Sequence, residues 1–280
     1  MQKITEPQSK KQNKPQKLPP PEHSDIRRII AVMSGKGGVG KSSVTALLAA
    51  SLAASGYRVG ILDADITGPS IPKLLGMGGP AFPQPQVKEG KIIPPTGSSG
   101  IKIMSLNLLL PHEDDPVIWR GPLIGGAVKQ FWTDVLWGEL DYLIVDLPPG
   151  TGDAPLTVLQ SLPLDGIIIV SSPQHLAVMV VKKAIKMARM LGVPIIGMVE
   201  NMSGMLCPHC GKTMDIFGPS QAEAVSLETG LPLIGTLPLD PEISRLGDKG
   251  AIDQYAVNIF KSIPSLIEDS VNKKERGDTI

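Results

Sequence analysis

The sequence predicts an α/β domain with a doubly wound, mostly parallel sheet and helices on both faces. Three observations carry that prediction. Apolar runs that are continuous rather than alternating recur along the chain, as in strands covered on both sides. Segments with apolar residues three and four apart lie between them. A glycine-rich loop, SGKGGVGKSS from Ser34 to Ser43, separates the first apolar run from a helix of small residues.

Taken in order, residues 1–24 are rich in Lys, Gln and Pro, lack the apolar core of a secretory signal, and are expected to form a disordered arm. Residues 27–34 read as a buried strand, 41–55 as a helix closed by Gly56, and 57–65 as a second strand. The Pro- and Gly-rich stretch 78–100 interrupts the alternation and is expected to be an irregular excursion holding a short hairpin. Helical spacing returns at 125–138 and 175–192, and strands are expected within 142–150, 165–173 and 194–202. One domain over 25–268 and a fraying polar tail over 269–280 complete the expected organisation.

Composition excludes some classes of function. With 27 basic and 27 acidic residues the formal net charge is zero, which argues against a nucleic-acid or membrane-surface partner. No apolar run is long enough to span a bilayer, so a cytoplasmic location is expected. The two cysteines lie together in CPHC, Cys207 to Cys210. In a reducing compartment this pair suits metal binding or redox chemistry better than a structural disulfide.

The loop has the spacing of a phosphate cradle. Gly35, Gly37, Gly38 and Gly40 let the backbone approach closely, and their amides, with those of Val39 and the helix start at Ser42 and Ser43, can face phosphate oxygens. Lys41 supplies charge to the outer phosphates of a nucleotide, and the Ser42 hydroxyl is placed to ligate magnesium. Asp146 ends an apolar strand and suits the acid that holds magnesium in magnesium–nucleotide chemistry. Asp63 and Asp65 end another strand, and one of them can orient the attacking water; a cap or turn role is the plain reading of each. The glycines of Gly150–Asp153 suit a loop that responds to a γ-phosphate.

A second lysine, Lys36, follows the first glycine of the loop. With it, KGGVGKS resembles the deviant phosphate loop of the MinD/ParA/nitrogenase-iron-protein class of P-loop NTPases. Within that class, SGKGGVGKSSV, DADITGPSIPKLLG, WRGP, DYLIVDLPPGTGD, VENMSG and CPHCG together resemble the Mrp/ApbC-type iron–sulfur cluster carriers. The resemblance runs from about Ser34 to Gly211 and continues through GTLPLDPEI. It implies ATP binding, slow hydrolysis, a homodimer, a bridging 4Fe-4S cluster and delivery to apo-proteins. It assigns Lys36 to the partner subunit's phosphates, Asp65 to the water and magnesium, Asn201 to the adenine and the loop around Asp240 to the wall behind the base.

The spacing C-x-x-C itself leaves the metal open. It serves half of a zinc site, half of an iron–sulfur site or a redox pair, although flanking glycines and prolines argue against the last. A 4Fe-4S cluster takes four thiolates, and this chain has two. An isologous dimer brings four to one axis; otherwise ligands other than cysteine must complete the set. A positioning ATPase of the MinD/ParA kind and a zinc-stapled assembly factor are the competing readings. Residues 257–280 hold a proline and no sustained basic amphipathic pattern, which weighs against the first. Trp119, Trp132, Trp137 and the methionines of 179–190 are expected in packing, Arg120 in a loop ion pair or a partner contact, and His209 exposed beside the thiols.

Overall fold

The computed structural model describes residues 17–19, 21–66, 68–78, 84–110 and 121–276. Strand β1 (Asp25–Ser34) leads through the glycine loop into helix α1 (Lys41–Ala54), and β2 (Val59–Asp63) follows. The remaining sheet strands are β5 (Lys102–Met104), β6 (Glu139–Asp146), β7 (Gly166–Ser171), β8 (Ile195–Glu200) and β11 (Leu233–Thr236). They form one seven-stranded sheet in the order β11-β8-β7-β1-β6-β2-β5, with every pairing parallel. β2 and β7 are buried along their whole length, which explains runs such as GIIIVS: with helices on both faces, no position on the strand faces water.

Two cores result. Under α3 (Gly121–Thr133), α4 (Asp153–Ser161) and α5 (His175–Met190), one face buries Leu143, Val145, Ile167 and Ile169 with Trp132 and Trp137. The other buries Ile30, Val32, Ile144 and Ile168 against α1 and against α8 (Ile263–Glu275). Shorter helices, α2 (Ile71–Leu74), α6 (Ala222–Thr229) and α7 (Pro241–Asp248), close the periphery.

The excursion holds the expected hairpin, β3 (Gln86–Lys88) with β4 (Lys91–Ile93), turned by Glu89 and Gly90, both at positive φ. The Ile92 backbone pairs with Asp134 and Leu136, which docks the hairpin beside α3. A second antiparallel pair, β9 (Met205–Leu206) with β10 (Thr213–Met214), carries both cysteines between its strands.

Most of the expected arm, 1–16, lies outside the described residues, as do Trp119 and Arg120. Its last residues are seated: the Leu18 amide donates to Ser161, the Trp132 indole to the Pro19 carbonyl at 2.7 Å, and the Trp137 amide to the Ser24 hydroxyl. At the other end, residues 269–275, read as tail, continue α8. Pro264 sits in that helix's first turn, where a missing N–H costs nothing, and Val271 is buried one turn after Ile267. The methionines of α5 divide. Met187 packs on the core, but Met179 and Met190 are exposed, because the buried stripe runs through Val181, Ala184, Ile185 and Ala188. Among the described residues no helix is long and apolar enough to cross a membrane.

Two stability outcomes follow. Ile267→Ala removes a fully buried contact of α8 and is expected to cost about 2–4 kcal/mol in chemical denaturation; an unchanged midpoint would mean that α8 does not cover the sheet. The Arg28 guanidinium donates to Glu268 at 2.7 Å and holds that carboxyl below the usual glutamate range. A carboxyl depressed in the folded state stabilises above its unfolded value, and the gain is lost as pH falls through the folded one. The stability gap between wild type and Glu268→Gln, at most about 1 kcal/mol for a part-exposed pair, is therefore expected to close on acidification. A gap that persists at acid pH would count against the pairing.

Candidate functional site

Parallel strands present their carboxyl ends at one edge of the sheet, and that edge collects the candidate residues. Register does the rest. Val32 on β1 lies opposite Asp146 on β6, and Asp146 lies opposite Asp63 on β2. The glycine loop leaves β1 directly above them and returns as α1, so the first turn of that helix faces the acids.

Asp146 is fully buried and accepts from three groups: Ser42 Oγ at 2.6 Å, Thr45 Oγ1 at 2.7 Å and Lys41 Nζ at 2.7 Å. The Lys41 ammonium is buried and also lies 3.8 Å from Asp65. Asp63, fully buried, accepts from the Ser105 hydroxyl at 3.1 Å and from the Asp65 amide at 3.2 Å. Burial, and then the charge of Asp146, push the Asp63 carboxyl up to about 8. One ammonium thus serves three neighbouring carboxyls. This set of carboxylate and hydroxyl oxygens, rich in negative charge, is the kind a small hard cation such as magnesium takes. Thr45 was not evident as a site residue, although it lies three residues after Ser42 and four after Lys41, on the same face of a helix.

The loop itself is set by Asn201. Its Nδ2 donates to the Val39 carbonyl at 2.9 Å, and its backbone amide donates to Ser171. The Val39 side chain points into the core, so its part here is played by its backbone. Gly40 has φ +76°, and a Cβ there would stand 2.2 Å from Asn201 Nδ2, so only glycine fits. Gly37, Gly38, Gly40, Lys41, Ser42 and Ser43 line a cleft of about 290 Å³ that reaches Asp65 and Pro149. Gly35 precedes that cleft and is half-buried. Lys36 does not point into its own phosphate cleft; its ammonium is bonded to the Gln174 side-chain oxygen at the start of α5.

A second cavity, of about 350 Å³, adjoins the first and shares Gly40, Ser43, Ser70 and Leu74 with it. Asn201 and Met202 form one wall, and Pro238, Leu239 and Asp240 the other. Both oxygens of Asp240 are engaged. One caps α7 by accepting from the Glu242 amide at 2.8 Å, and the other accepts from the Tyr255 hydroxyl at 2.9 Å. Burial and that bond push the phenol up to about 12. Asp240 therefore builds the wall by fixing the start of α7.

The cysteines lie outside both cavities, at the tip of the β9–β10 hairpin that follows β8. Both are free thiols, Cys207 half-buried and Cys210 exposed. The hairpin is closed by the Cys207 amide donating to Lys212 and by the Gly211 amide donating to Cys207. The backbone N–H groups of His209 and then Cys210 draw the Cys207 thiol below its usual range, toward the thiolate that binds metal. His209 is exposed beside them. Among the described residues no group of three or more His, Cys, Asp or Glu is placed to hold a metal ion. Around the thiols, large apolar side chains face solvent: Leu206 is 65% exposed, Ile216 52%, Met214 37% and Phe217 37%.

Residues 25–269 match the family model ParA, described as a NUBPL iron-transfer P-loop NTPase. An iron–sulfur cluster carrier protein of Methanocaldococcus jannaschii is 49% identical, over 90% of this chain and 88% of its own. A cytosolic Fe-S cluster assembly factor of Eremothecium gossypii is 43% identical over 85% of this chain and 87% of its own. Among solved structures, a nucleotide-binding protein from Archaeoglobus fulgidus in complex with ADP superposes with a TM-score of 0.75 at 44% identity, covering 84% of this chain and 91% of that one. The cell-division ATPase MinD of Pyrococcus furiosus superposes with a TM-score of 0.59 at 22% identity, covering 90% and 100%, and shares the fold.

Gly40→Ala places a methyl group against Asn201 in a left-handed backbone conformation. It is expected to weaken ADP binding about fivefold to thirtyfold in calorimetry, the equivalent of the roughly 1–2 kcal/mol that such strain costs. Thr45→Val keeps the shape but leaves a buried carboxylate oxygen without its donor, with an expected loss of about 1–3 kcal/mol in unfolding free energy. Wild-type stability in Thr45→Val would remove that residue from the site.

Proposed function

Because the chain belongs to the ParA family of NUBPL-type iron-transfer P-loop NTPases, we propose that it binds and slowly hydrolyses ATP and carries a 4Fe-4S cluster, held between two identical subunits, to apo-proteins. One observation carries this reading. A phosphate loop with a second lysine shares a chain with a metal-suited thiol pair that supplies half of a four-thiolate set. The names of the relatives, iron–sulfur cluster carrier and Fe-S cluster assembly factor, support the cargo. The exposed apolar side chains around the thiols support a partner there, since solitary chains seldom leave such a cluster in water.

Each residue then has a part. The loop amides of Gly35, Gly37, Gly38, Val39 and Gly40, with Ser43, cradle the phosphates, and Lys41 moves from the acids to the outer phosphates. Ser42 and Asp146 hold magnesium, which neutralises phosphate charge when bound. Asp65, next to Lys41 at the cleft, orients the attacking water. Asn201 and the wall fixed by Asp240 receive the adenine. Lys36 crosses to the partner subunit's nucleotide, and in a single chain Gln174 keeps its ammonium bonded instead. Cys207 and Cys210 hold the cluster with their counterparts, and it leaves by exchange onto thiols of the recipient.

The test is reconstitution with iron and sulfide under anaerobic conditions. Four irons and four sulfides per two chains are expected, with broad visible absorption that Cys207→Ala abolishes. Tight zinc without iron–sulfur absorption would replace this reading with a zinc-stapled assembly factor, and ATP-dependent pelleting with liposomes or DNA would favour a positioning ATPase. Lys36→Ala is expected to lower phosphate release about a hundredfold, the scale of losing one charge-stabilising donor, and to leave ADP affinity of the single chain unchanged. Full hydrolysis in that variant would remove the trans lysine.

A further inference from the structure

Two sites on one chain raise the question of which part of the nucleotide the thiols sense. The loop expected to follow the γ-phosphate, 150–153, donates from the Gly150 amide to Ser34, back toward the glycine loop. Among the described residues no hydrogen bond joins 147–153 to 203–217. The base-side cavity is connected differently. The segments that carry its two walls, Asn201 and Met202 on one side and Pro238 to Asp240 on the other, are stitched into one ribbon: Leu237 donates to Glu200, Ser203 to Leu237 and Leu239 to Gly204, each at 2.8 Å. Gly204 is one residue before β9, so the wall and the cysteine hairpin are a single stretch of chain.

That stretch is sprung. Met202 has φ +62°, a left-handed conformation that a long side chain adopts at a cost, and Gly204 has φ +71°. A Cβ at Gly204 would meet Thr213 Cγ2, on the far strand of the hairpin, at 2.9 Å. The segment therefore touches the hairpin on both strands. Its start is anchored to the glycine loop through Asn201, and Met202 lines the cavity that the base would enter.

We propose that filling the base cavity, rather than the phosphate cleft, resets the orientation of the thiol pair, with residues 201–204 as the lever. A base seated between Met202 and Leu239 loads that segment directly, and the hairpin that follows turns with it. ATP and ADP carry the same base, so both set the hairpin, and phosphate count acts elsewhere. This inference rests on the reading that the cavity takes a nucleotide base; it does not require the cargo to be an iron–sulfur cluster.

The experiment uses the metal-free full chain and the iodoacetamide alkylation rates of Cys207 and Cys210, resolved by mass spectrometry. Rates are compared without ligand, with Mg-ADP and with Mg-triphosphate, each at saturation established by calorimetry. Mg-ADP is expected to change the rates at least about fivefold, the lower end of measured site–site couplings, and Mg-triphosphate to leave them unchanged. Gly204→Ala is expected to bind Mg-ADP and lose the rate change. Equal effects of the two ligands, or no effect of bound Mg-ADP in the wild type, would overturn the proposal, whether or not Gly204→Ala folds. Because no metal is present, failure here is separate from failure to assemble a cluster.

Discussion

A single buried ammonium among three carboxyls organises the nucleotide end of this sheet. Lys41 meets Asp146 at 2.7 Å and Asp65 at 3.8 Å, with Asp63 buried behind them. In a low-dielectric interior such charges are costly unless compensated. The strand order places β6 between β1 and β2, and register sets Asp63 and Asp146 side by side. Repulsion between them is eased in two ways: Lys41 lies against the acids, and burial with the charge of Asp146 favours a proton on Asp63. A site built this way is poised for exchange, since phosphates attract the ammonium and a divalent cation can take its place beside Asp146.

The same economy recurs at the thiols. Two cysteines on a short hairpin, with apolar neighbours in water, are an incomplete structure in one chain. Lys36, turned from its own phosphate cleft onto Gln174, is incomplete in the same sense. The proposed second copy would complete both features, and their occurrence on one chain makes an isologous pair the economical arrangement. In the single chain Gln174 gives the Lys36 ammonium an acceptor beside the cleft.

Much of this was legible in the residues. Continuous apolar runs located the central strands because they are buried on both faces, and the glycine spacing located the loop because only a few backbone paths wrap a phosphate. The edge strands β5 and β11 escaped, being three and four residues long and defined by partners far away in sequence. The helical continuation of 269–275 escaped because polar residues outnumber the buried Val271 that seats it. Thr45 was within reach of helical periodicity. Gln174 was not: its contact with Lys36 joins residues 138 apart, and nothing in either local pattern points to the other.

The hairpin's tether bears on why the two sites share a chain. A cluster held only by exposed thiols is labile, and a carrier must hold and then release it. Control by hydrolysis alone would need the loop 150–153, proposed to follow the γ-phosphate, to reach the hairpin, yet its Gly150 amide donates back to Ser34. The walls of the second cavity, by contrast, are continuous with the cysteine strands, and the segment between them holds one strained left-handed residue, Met202, followed by Gly204, whose positive φ is unstrained. Coupling then splits by chemistry. In the scheme proposed above, the base sets how the thiols are presented within a subunit, while the phosphates, through Lys41 and Lys36, govern the pairing of two subunits. Presentation and pairing are then separable equilibria, and in the proposed carrier their product governs how tightly four thiolates close on one cluster.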